Sequence, residues 1–519
     1  MIKLKILLNE GMKENTALEF LKKIVQEGPY KRQVFLAGGA VRDMEMGNTP
    51  KDLDVVVSNH DITGGMEFAY WATKTMGNYK GPSDTVFKEF INFIKTNWDL
   101  ICNKDENTLA TLSTYTKDMS NPVLFPTFGT AKFILKNIIY NGIDLSDMDV
   151  ECVAARKETY THGSRKPVVT AGTIKDDVYR RDYTINSLLF DLTTSDILDL
   201  TGRGKIDIHN GILKTTSPSD EIFQQDSLRI LRGIRFAAKY GFTIDDETLE
   251  GMKRNIDELK HISKERIRDE VNKMLLTDHP AEAFEMLKDI GALKYISPDL
   301  QQAIGMGQNK FHSEDVFSHS LSVLSKTKPN LINRLMALFH DVGKVKTKTI
   351  VDDAIHFYEH EHIGADMARE ILTNLKYPLD IINPVVIGIK NHMRLKRSGE
   401  KGELVTDKTL RKFVVDLGDH LEATLDVMAA DNASHEGNHT NPNQIPNISR
   451  RIDALKNSIP KKNEKLPVTG SDLMDLGLKQ GPLFKQLLDL VKDKQLENPN
   501  TTKEEYLEMI KQYLKNNEL

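Results

Sequence analysis

The sequence is short of several things at once. Its 519 residues include two cysteines, Cys102 and Cys152. Two thiols cannot form a disulfide framework or a thiolate zinc site, so both read as ordinary reduced cysteines. No apolar run is long enough to span a bilayer, and the stretch Ile6–Leu8 is too short for a signal-peptide core. The expectation is a cytoplasmic protein with no membrane part. An excess of positive charge is also missing, since the net charge is −5. No global basic field draws in nucleic acid, and any such binding must come from a local positive face. There is no internal repeat.

What is present is a long chain of ordinary globular composition, enough for about three or four domains. Apolar spacing predicts a helix over 13–27, a buried strand at Val34–Ala37, a tight turn at Gly38–Gly39, a helix start over Ala40–Met46 and a strand at Leu53–Val57. Residues 60–145 are less regular, with helix-like pieces at Phe68–Met76 and Val86–Ile101 and a Thr/Ser-rich stretch at 108–120. A strand pair over 123–135, with Phe128–Gly129 near a turn, and a strand at Val150–Ala155 follow. From about residue 220 the pattern turns helical, with helices over Phe223–Tyr240, Glu265–Leu276 and Ala281–Leu287, then a second helical block over 315–435. The polar stretch Glu436–Ile448 reads as a linker before helices at Gly470–Leu476 and Leu483–Val491.

The segment Phe35–Val57 carries the first chemistry. Asp52 and Asp54 lie two apart on the expected strand, so both carboxylates face one side. Paired carboxylates suit Mg²⁺, which keeps waters and takes substrate phosphates as further ligands. A pair of such ions activates an attacking hydroxyl and stabilises a leaving pyrophosphate in an in-line displacement. Gly38 and Gly39, at a helix start, let backbone N–H groups approach a phosphate, and Arg42 one turn later adds positive charge. Taken singly, an Asp-x-Asp is an ordinary solvated pair and a Gly-Gly an ordinary turn. Their combination at this spacing is far more specific.

The residues Gly38, Gly39, Val41, Arg42, Asp43, Gly47, Asp52 and Asp54 resemble the first motif of the class II tRNA nucleotidyltransferase and bacterial poly(A) polymerase family, in the polymerase β-like superfamily. The resemblance implies that Asp52 and Asp54 bind catalytic Mg²⁺, while Gly38, Gly39 and Arg42 hold a triphosphate. Glu151–Tyr160 looks like the strand bearing the third carboxylate, Glu151, with Asp149 a rival two residues away. Arg180–Leu188 is similar to the family's Arg-Arg-Asp-Phe-Thr motif and implicates Arg181 and Asp182 in nucleotide binding; elsewhere such residues are more often a surface ion pair. Gln225–Phe242 resembles the motif in which an Asp and an Arg read the incoming base, here Asp226 and Arg229. A carboxylate accepts a base amino proton and a guanidinium donates to ring nitrogen or carbonyl, and at i and i+3 the two address one ligand together. Arg232 and Arg235 continue the interval but drift round the helix, and are assigned to phosphates. Where the family has Glu before the Asp, this chain has Gln225, which bears on base selectivity if that side chain orients Arg229. Ser263–Val271 looks like the next motif, at a helix capped by Ser263.

A second set of chemistry-bearing residues runs through the later helical block. His319, His340, Asp341, His360, His392 and Asp431 occur in order, with His340–Asp341 adjacent. A lone histidine is more often structural, but imidazole and carboxylate together suit Mn²⁺, Fe²⁺, Ni²⁺ or Mg²⁺ with open positions for water. Such a site activates water for phosphoester hydrolysis. The order resembles the HD phosphohydrolase superfamily, with Lys344 in reach of a phosphate. HD domains follow the polymerase part in one branch of the tRNA nucleotidyltransferases, where they are linked to phosphatase and 2′,3′-cyclic phosphodiesterase activities. Leu466–Val491 also looks like the tail of that branch.

These resemblances imply an α+β fold: a polymerase β-like head with a small mixed sheet, then a mostly helical neck, HD domain and tail. The expected division is 1–215 head, 216–300 neck, 301–435 HD domain and 436–519 linker and tail, with 60–120 longer than the family normally allows. The implied activity is template-independent addition of CCA, from CTP and ATP, to the 3′ end of tRNA or another RNA, with HD-dependent repair of damaged ends. Alternatives are a bacterial-type poly(A) polymerase, a CC-only or A-only enzyme, and an HD phosphohydrolase with a regulatory nucleotidyltransferase half.

Overall fold

The computed structural model describes residues 2–159, 168–308, 314–396, 405–435, 442–460 and 465–516. Tyr160, and residues 436–441 of the expected linker, lie outside them. Met1–Ile262 and Ser263–Leu519 each pack as a compact unit.

The first unit is built on a seven-stranded sheet. Its order is Ile197–Leu198, Leu189–Asp191, Val34–Ala37, Leu53–Val57, Asp149–Ala154, Thr130–Ile134 and Val123–Phe125. Leu53–Val57 and Asp149–Ala154 run parallel, and the other neighbours are antiparallel. A parallel pair needs a long crossover, and here it is the chain from 58 to 148. That crossover carries the helices Gly64–Thr75, Asp84–Thr96, Trp98–Cys102 and Glu106–Thr116. Phe68, Phe87, Phe90, Ile94, Ile101 and Leu112 from these helices are buried in one cluster with Leu53, Val55, Phe133, Val150 and Cys152 of the sheet. The residues from 60 to 120 are therefore part of the head's core, not an ornament on its surface.

Several local expectations are corrected. The first helix runs Ile2–Glu27 and is not confined to 13–27. The expected helix over Val86–Ile101 is two, broken at Asn97. The Thr/Ser-rich stretch at 108–120 forms most of the helix Glu106–Thr116, because the Asp105 carboxylate caps its N-terminus by accepting from the Thr108 N–H at 2.8 Å. The single helix expected over Phe223–Tyr240 is two, Ser219–Gln225 and Leu228–Tyr240, since Asp226 adopts an extended conformation between them (φ −153°, ψ 102°).

The second unit is almost wholly helical. It runs from Lys264–Leu275 to Lys503–Asn516, with one antiparallel hairpin, Lys348–Val351 and Ala354–Phe357. Two of its hydrophobic cores are separate, one around Leu410, Phe413 and Ile448 and one around Leu473, Phe484, Leu487 and Tyr506. Among the described residues no helix is long and apolar enough to cross a membrane.

Candidate functional sites

In the first unit the register of the parallel pair sets Asp54 directly opposite Glu151. Asp52 lies one residue before the strand Leu53–Val57, not on it. Period-two alternation buries Leu53 and leaves Asp52, Asp54 and Glu151 exposed. The Asp54 carboxyl is raised to about 6, by desolvation among its neighbours first, then by the negative charges of Glu151 and Asp52, with Arg181 opposing. A carboxylate crowded by two others is a group short of a cation, so the donor set fits a divalent metal. Asp149 is instead ion-paired with Lys132 at 2.6 Å.

The turn before the first short helix brings positive charge to these carboxylates. Gly38 has φ +71° and ψ −134°, a conformation that glycine tolerates, and a Cβ there would sit 3.3 Å from Arg181 Nη1. Arg181 is held by the buried Asp177, whose Oδ2 accepts from its Nη2 at 2.7 Å. Burial pushes the Asp177 carboxyl up, but Arg181 and Arg180 outweigh that and hold it below its ordinary range.

Arg42 and Asp182 are buried and tied together. Arg42 Nη1 donates to Asn186 Oδ1 at 2.6 Å, and Asn186 Nδ2 donates to Asp182 Oδ1 at 3.0 Å. Arg232 completes the chain, donating to Asp182 Oδ2 through Nε at 2.8 Å and pairing through Nη2 at 2.7 Å. The Arg42 guanidinium also lies over Tyr240 and Phe236, at 4.8 and 5.3 Å from the ring centroids, and Arg235 lies 4.2 Å over Phe236. These contacts brace the turn against the helix Leu228–Tyr240.

Asp226 lies in the break between the helices Ser219–Gln225 and Leu228–Tyr240, and Arg229 lies in the first turn of the second. Arg229 Nη1 donates to Gln225 Oε1 at 2.8 Å, and its Nη2 to the Arg180 carbonyl at 2.9 Å. Asp226, in its extended link, accepts from the Leu228 N–H at 3.2 Å. Asp226 and Arg229 are therefore not neighbours on one helix face.

In the second unit five helices and the turns at their ends bring six residues together. His319 lies on Val316–Lys326, His340 and Asp341 follow Leu331–Phe339, His360 opens His360–Asn374, His392 caps Leu379–Asn391 and Asp431 lies on Leu421–Ala433. All six are buried. A Cβ on Gly343 would come within 2.1 Å of the His360 carbonyl, so only glycine lets the turn after Asp341 approach the helix bearing His360.

The histidine rings are oriented by their own backbone. Nδ1 of His340, His360 and His392 donates to the carbonyls of Ala337, Phe357 and Ile389 at 2.8, 2.9 and 2.7 Å. That fixes hydrogen on Nδ1 and leaves each neutral ring an Nε2 lone pair. These three buried Nε2 atoms have no hydrogen-bond partner. They converge on Asp341: Oδ2 lies 3.2 Å from His340 and 3.8 Å from His319, while Oδ1 lies 3.3 Å from His360 and 3.8 Å from His392. The ligand atoms form two compact groups, His319–His340–Asp431 and Asp341–His360–His392, each within 4.8 Å. Among the described residues the three head carboxylates are not such a group. Open imidazole nitrogens beside carboxylates in a desolvated space favour a cation, and nitrogen with carboxylate oxygen suits a divalent metal.

The neighbouring charges act on the rings in opposite senses. Burial pulls the His340 pKa down, yet the Asp341 and Asp431 carboxylates raise it overall, while burial and then His340 lower His392 to about 3. Lys344 donates to Asp341 Oδ2 and Gln308 Oε1, both at 2.6 Å, and Lys396 pairs with Asp431 Oδ2 at 2.5 Å. Lys132, Asn186, Lys396 and His435, which donates through Nδ1 to the Asp431 carbonyl at 2.8 Å, were not singled out by motif. Alternation along Thr130–Ile134 and the i, i+4 spacing from Asp431 to His435 are the signals that point to Lys132 and His435.

A family model for the poly A polymerase head domain matches residues 84–214, the model described as "Probable RNA and SrmB-binding site of polymerase A" matches 241–304, and the HD domain model matches 312–424. The chain belongs to the tRNA nucleotidyltransferase and poly(A) polymerase family, in a branch that carries an HD domain. Within that family it is 29% identical over 347 residues to the CC-adding tRNA nucleotidyltransferase of Thermus thermophilus, covering 64% of this chain and 76% of that one. It is 25% identical over 496 residues to the tRNA nucleotidyltransferase cca2 of Schizosaccharomyces pombe, covering 92% and 93%. The multifunctional CCA protein of Actinobacillus pleuropneumoniae is 34% identical over 242 residues, 44% of this chain and 57% of that one. The fold is similar to that of the Bacillus stearothermophilus CCA-adding enzyme in complex with CTP, with a TM-score of 0.62 at 19% identity over 98% of both chains.

Proposed function

We propose that this chain is a CCA-adding enzyme, which extends the 3′ end of tRNA without a template, taking CTP and ATP. The observation that carries this reading is the pair Asp54 and Glu151, opposed on adjacent parallel strands, with Asp52 one residue before the first of them and Gly38 and Arg181 beside it. Mg²⁺ bound there neutralises phosphate charge and favours the ionised 3′-hydroxyl. The residues do the rest by position. Asp52, Asp54 and Glu151 hold the ions, and Gly38, Gly39 and Arg181 cradle the triphosphate. Arg42, Asp182 and Arg232 keep that cradle rigid through Asn186, with Arg235 packed beside them. Asp226 and Arg229 read the base. The 3′-oxygen bonds to the α-phosphorus, the bond to the bridging oxygen breaks, and pyrophosphate and a proton depart.

The six-residue centre of the second unit is assigned a phosphohydrolase role at RNA 3′ ends. Its support is the convergence of three unpartnered imidazole nitrogens on Asp341. A divalent transition metal or Mg²⁺ held there supplies an activated water.

The test is incubation with Mg²⁺ and tRNA lacking its last three nucleotides, with products resolved at single-nucleotide length. CTP alone should add two residues, and CTP with ATP should stop after one A. The Thermus thermophilus relative favours a second reading, addition of CC alone, in which ATP adds nothing. A long A ladder would mean a poly(A) polymerase, and no extension would overturn the reading.

A further inference from the structure

The sheet face that carries the carboxylates continues one strand further than the reading above uses. Thr130–Ile134 runs antiparallel to Asp149–Ala154, and its register sets Lys132 directly opposite Glu151. Glu151 in turn lies opposite Asp54. Lys132, Glu151 and Asp54 thus form one row across three strands, on a single face, because Ala131 and Phe133 alternate into the core. The ammonium pairs diagonally with Asp149 at 2.6 Å, and the fields of Asp149, Glu151 and Asp52 help raise its pKa.

Two cations therefore flank the carboxylates from opposite sides. Arg181 stands beside Gly38, at the end of Val34–Ala37, the strand on the far side of Leu53–Val57. Lys132 stands on the side of Thr130–Ile134. An in-line displacement at the α-phosphorus puts the attacking oxygen and the leaving pyrophosphate on opposite sides of that atom. With the triphosphate on the Gly38–Arg181 flank, the primer enters on the flank of Lys132.

We propose that Lys132 anchors the terminal phosphodiester of the RNA primer, and that Asp149 holds the ammonium in place until the RNA takes it. The proposal rests on the nucleotidyltransferase reading of the carboxylate row. Lys132 would touch the substrate backbone, not the base, so it serves any tRNA equally.

The probe is tRNA lacking its last three nucleotides, bound at several salt concentrations, with CTP binding measured separately. Lys132→Gln should weaken RNA binding about tenfold and lower the slope of log K against log salt by about 0.7–0.9. The KM for RNA should rise while CTP affinity stays at its wild-type value. Lys132→Arg should retain most of the affinity. The double variant Lys132→Gln/Asp149→Asn removes the ion pair without leaving a lone charge. It should bind RNA as weakly as Lys132→Gln. Recovery of wild-type RNA affinity in the double variant would mean that Lys132 only neutralises Asp149, and the proposal would be overturned. Equal loss of CTP binding in Lys132→Gln would overturn it as well. Extension of the same RNA by the wild-type protein separates the two levels: its absence defeats the parent reading, whereas extension with unaltered RNA binding in Lys132→Gln defeats this one alone.

Discussion

The two candidate centres present their carboxylates and imidazoles in opposite ways. In the helical unit every candidate ligand is buried, the rings of His340, His360 and His392 are fixed through Nδ1 to backbone carbonyls, and their unpartnered nitrogens face a carboxylate. In the sheet unit Asp52, Asp54 and Glu151 are exposed, with Asp54 and Glu151 set opposite each other by strand register. The first arrangement is a buried cage whose open imidazole nitrogens a bound cation would satisfy, beside carboxylates that Lys344 and Lys396 already pair. The second is an open rim, suited to an ion that keeps its waters and arrives with substrate phosphates. The contrast predicts a difference of residence: a metal in the helical centre would be resident, whereas one on the sheet would be shared with substrate.

The sharpest way to break this comparison is to remove one carboxylate from each centre. Asp54→Ala should cut nucleotide addition by about a thousandfold or more while leaving phosphoester hydrolysis intact, and Asp341→Ala should do the reverse. Both activities are measured on the same preparations, and loss of both in a folded single variant would end the two-centre account. Chelation comes next. A metal at a thousandfold excess over its Kd stabilises by about 4 kcal/mol, so stripping metal should lower the unfolding transition of the second unit. Amide exchange in Leu53–Val57 and Asp149–Ala154 should barely change. Equal loss of protection in both units would deny that only one metal is resident.

Much of this contrast was legible in the sequence, for physical reasons. Leu53–Val57 announced itself because a β-branched run has few other folds, and Val34–Ala37 because a short apolar run ends there at a Gly-Gly turn. The fold class follows from such periodicities and from the long helical half. What stayed hidden was set by partners distant in sequence. Nothing local tells that Arg42 is buried on Tyr240, or that Asp182 is claimed by Arg232 fifty residues on. The break at Asp226 was hidden by apolar spacing that runs on through it. The helix Glu106–Thr116 was masked by Thr and Ser, weak helix formers whose cost is offset by the Asp105 cap and by burial of Leu112. Of the centres themselves, residue types and order were readable, but pairing was not. Register alone sets Glu151 opposite Asp54 and binds Asp149 to Lys132.

A smaller effect sharpens the sheet side of the comparison. Gln225 gives Arg229 a neutral acceptor at 2.8 Å, where a carboxylate would give a charged one. Gln225→Ala removes one acceptor and leaves the guanidinium held by the Arg180 and Ile222 carbonyls, and kcat/KM for CTP should fall about tenfold, the value of one hydrogen bond of this kind. Gln225→Glu should hold Arg229 more firmly and change the ratio of CTP to ATP use by several-fold. The unfolding temperature serves as the control, since neither change touches the sheet core.

The smallest expected effect is the most direct reading of an open, crowded rim. Asp54 in the metal-free fold has its pKa raised to about 6 from an ordinary 3.8. The folded state therefore binds this proton more tightly than the unfolded chain does. That contribution is fully present below the unfolded pKa and is lost as pH rises through about 6. At neutral pH the ionised Asp54 is thus a cost to the metal-free protein, relieved by Mg²⁺. Asp54→Asn removes the charge but keeps the shape. Without metal it should raise stability above pH 6, by no more than about 1 kcal/mol once screening at this exposed side chain is allowed for. It should do nothing near pH 4, and it should abolish nucleotide addition at every pH. Denaturant unfolding across that range, in chelator, measures the first two. A metal-free Asp54→Asn protein less stable than wild type at neutral pH would mean that the three carboxylates do not repel one another, and the open rim would have to be redrawn as a hydrogen-bonded one.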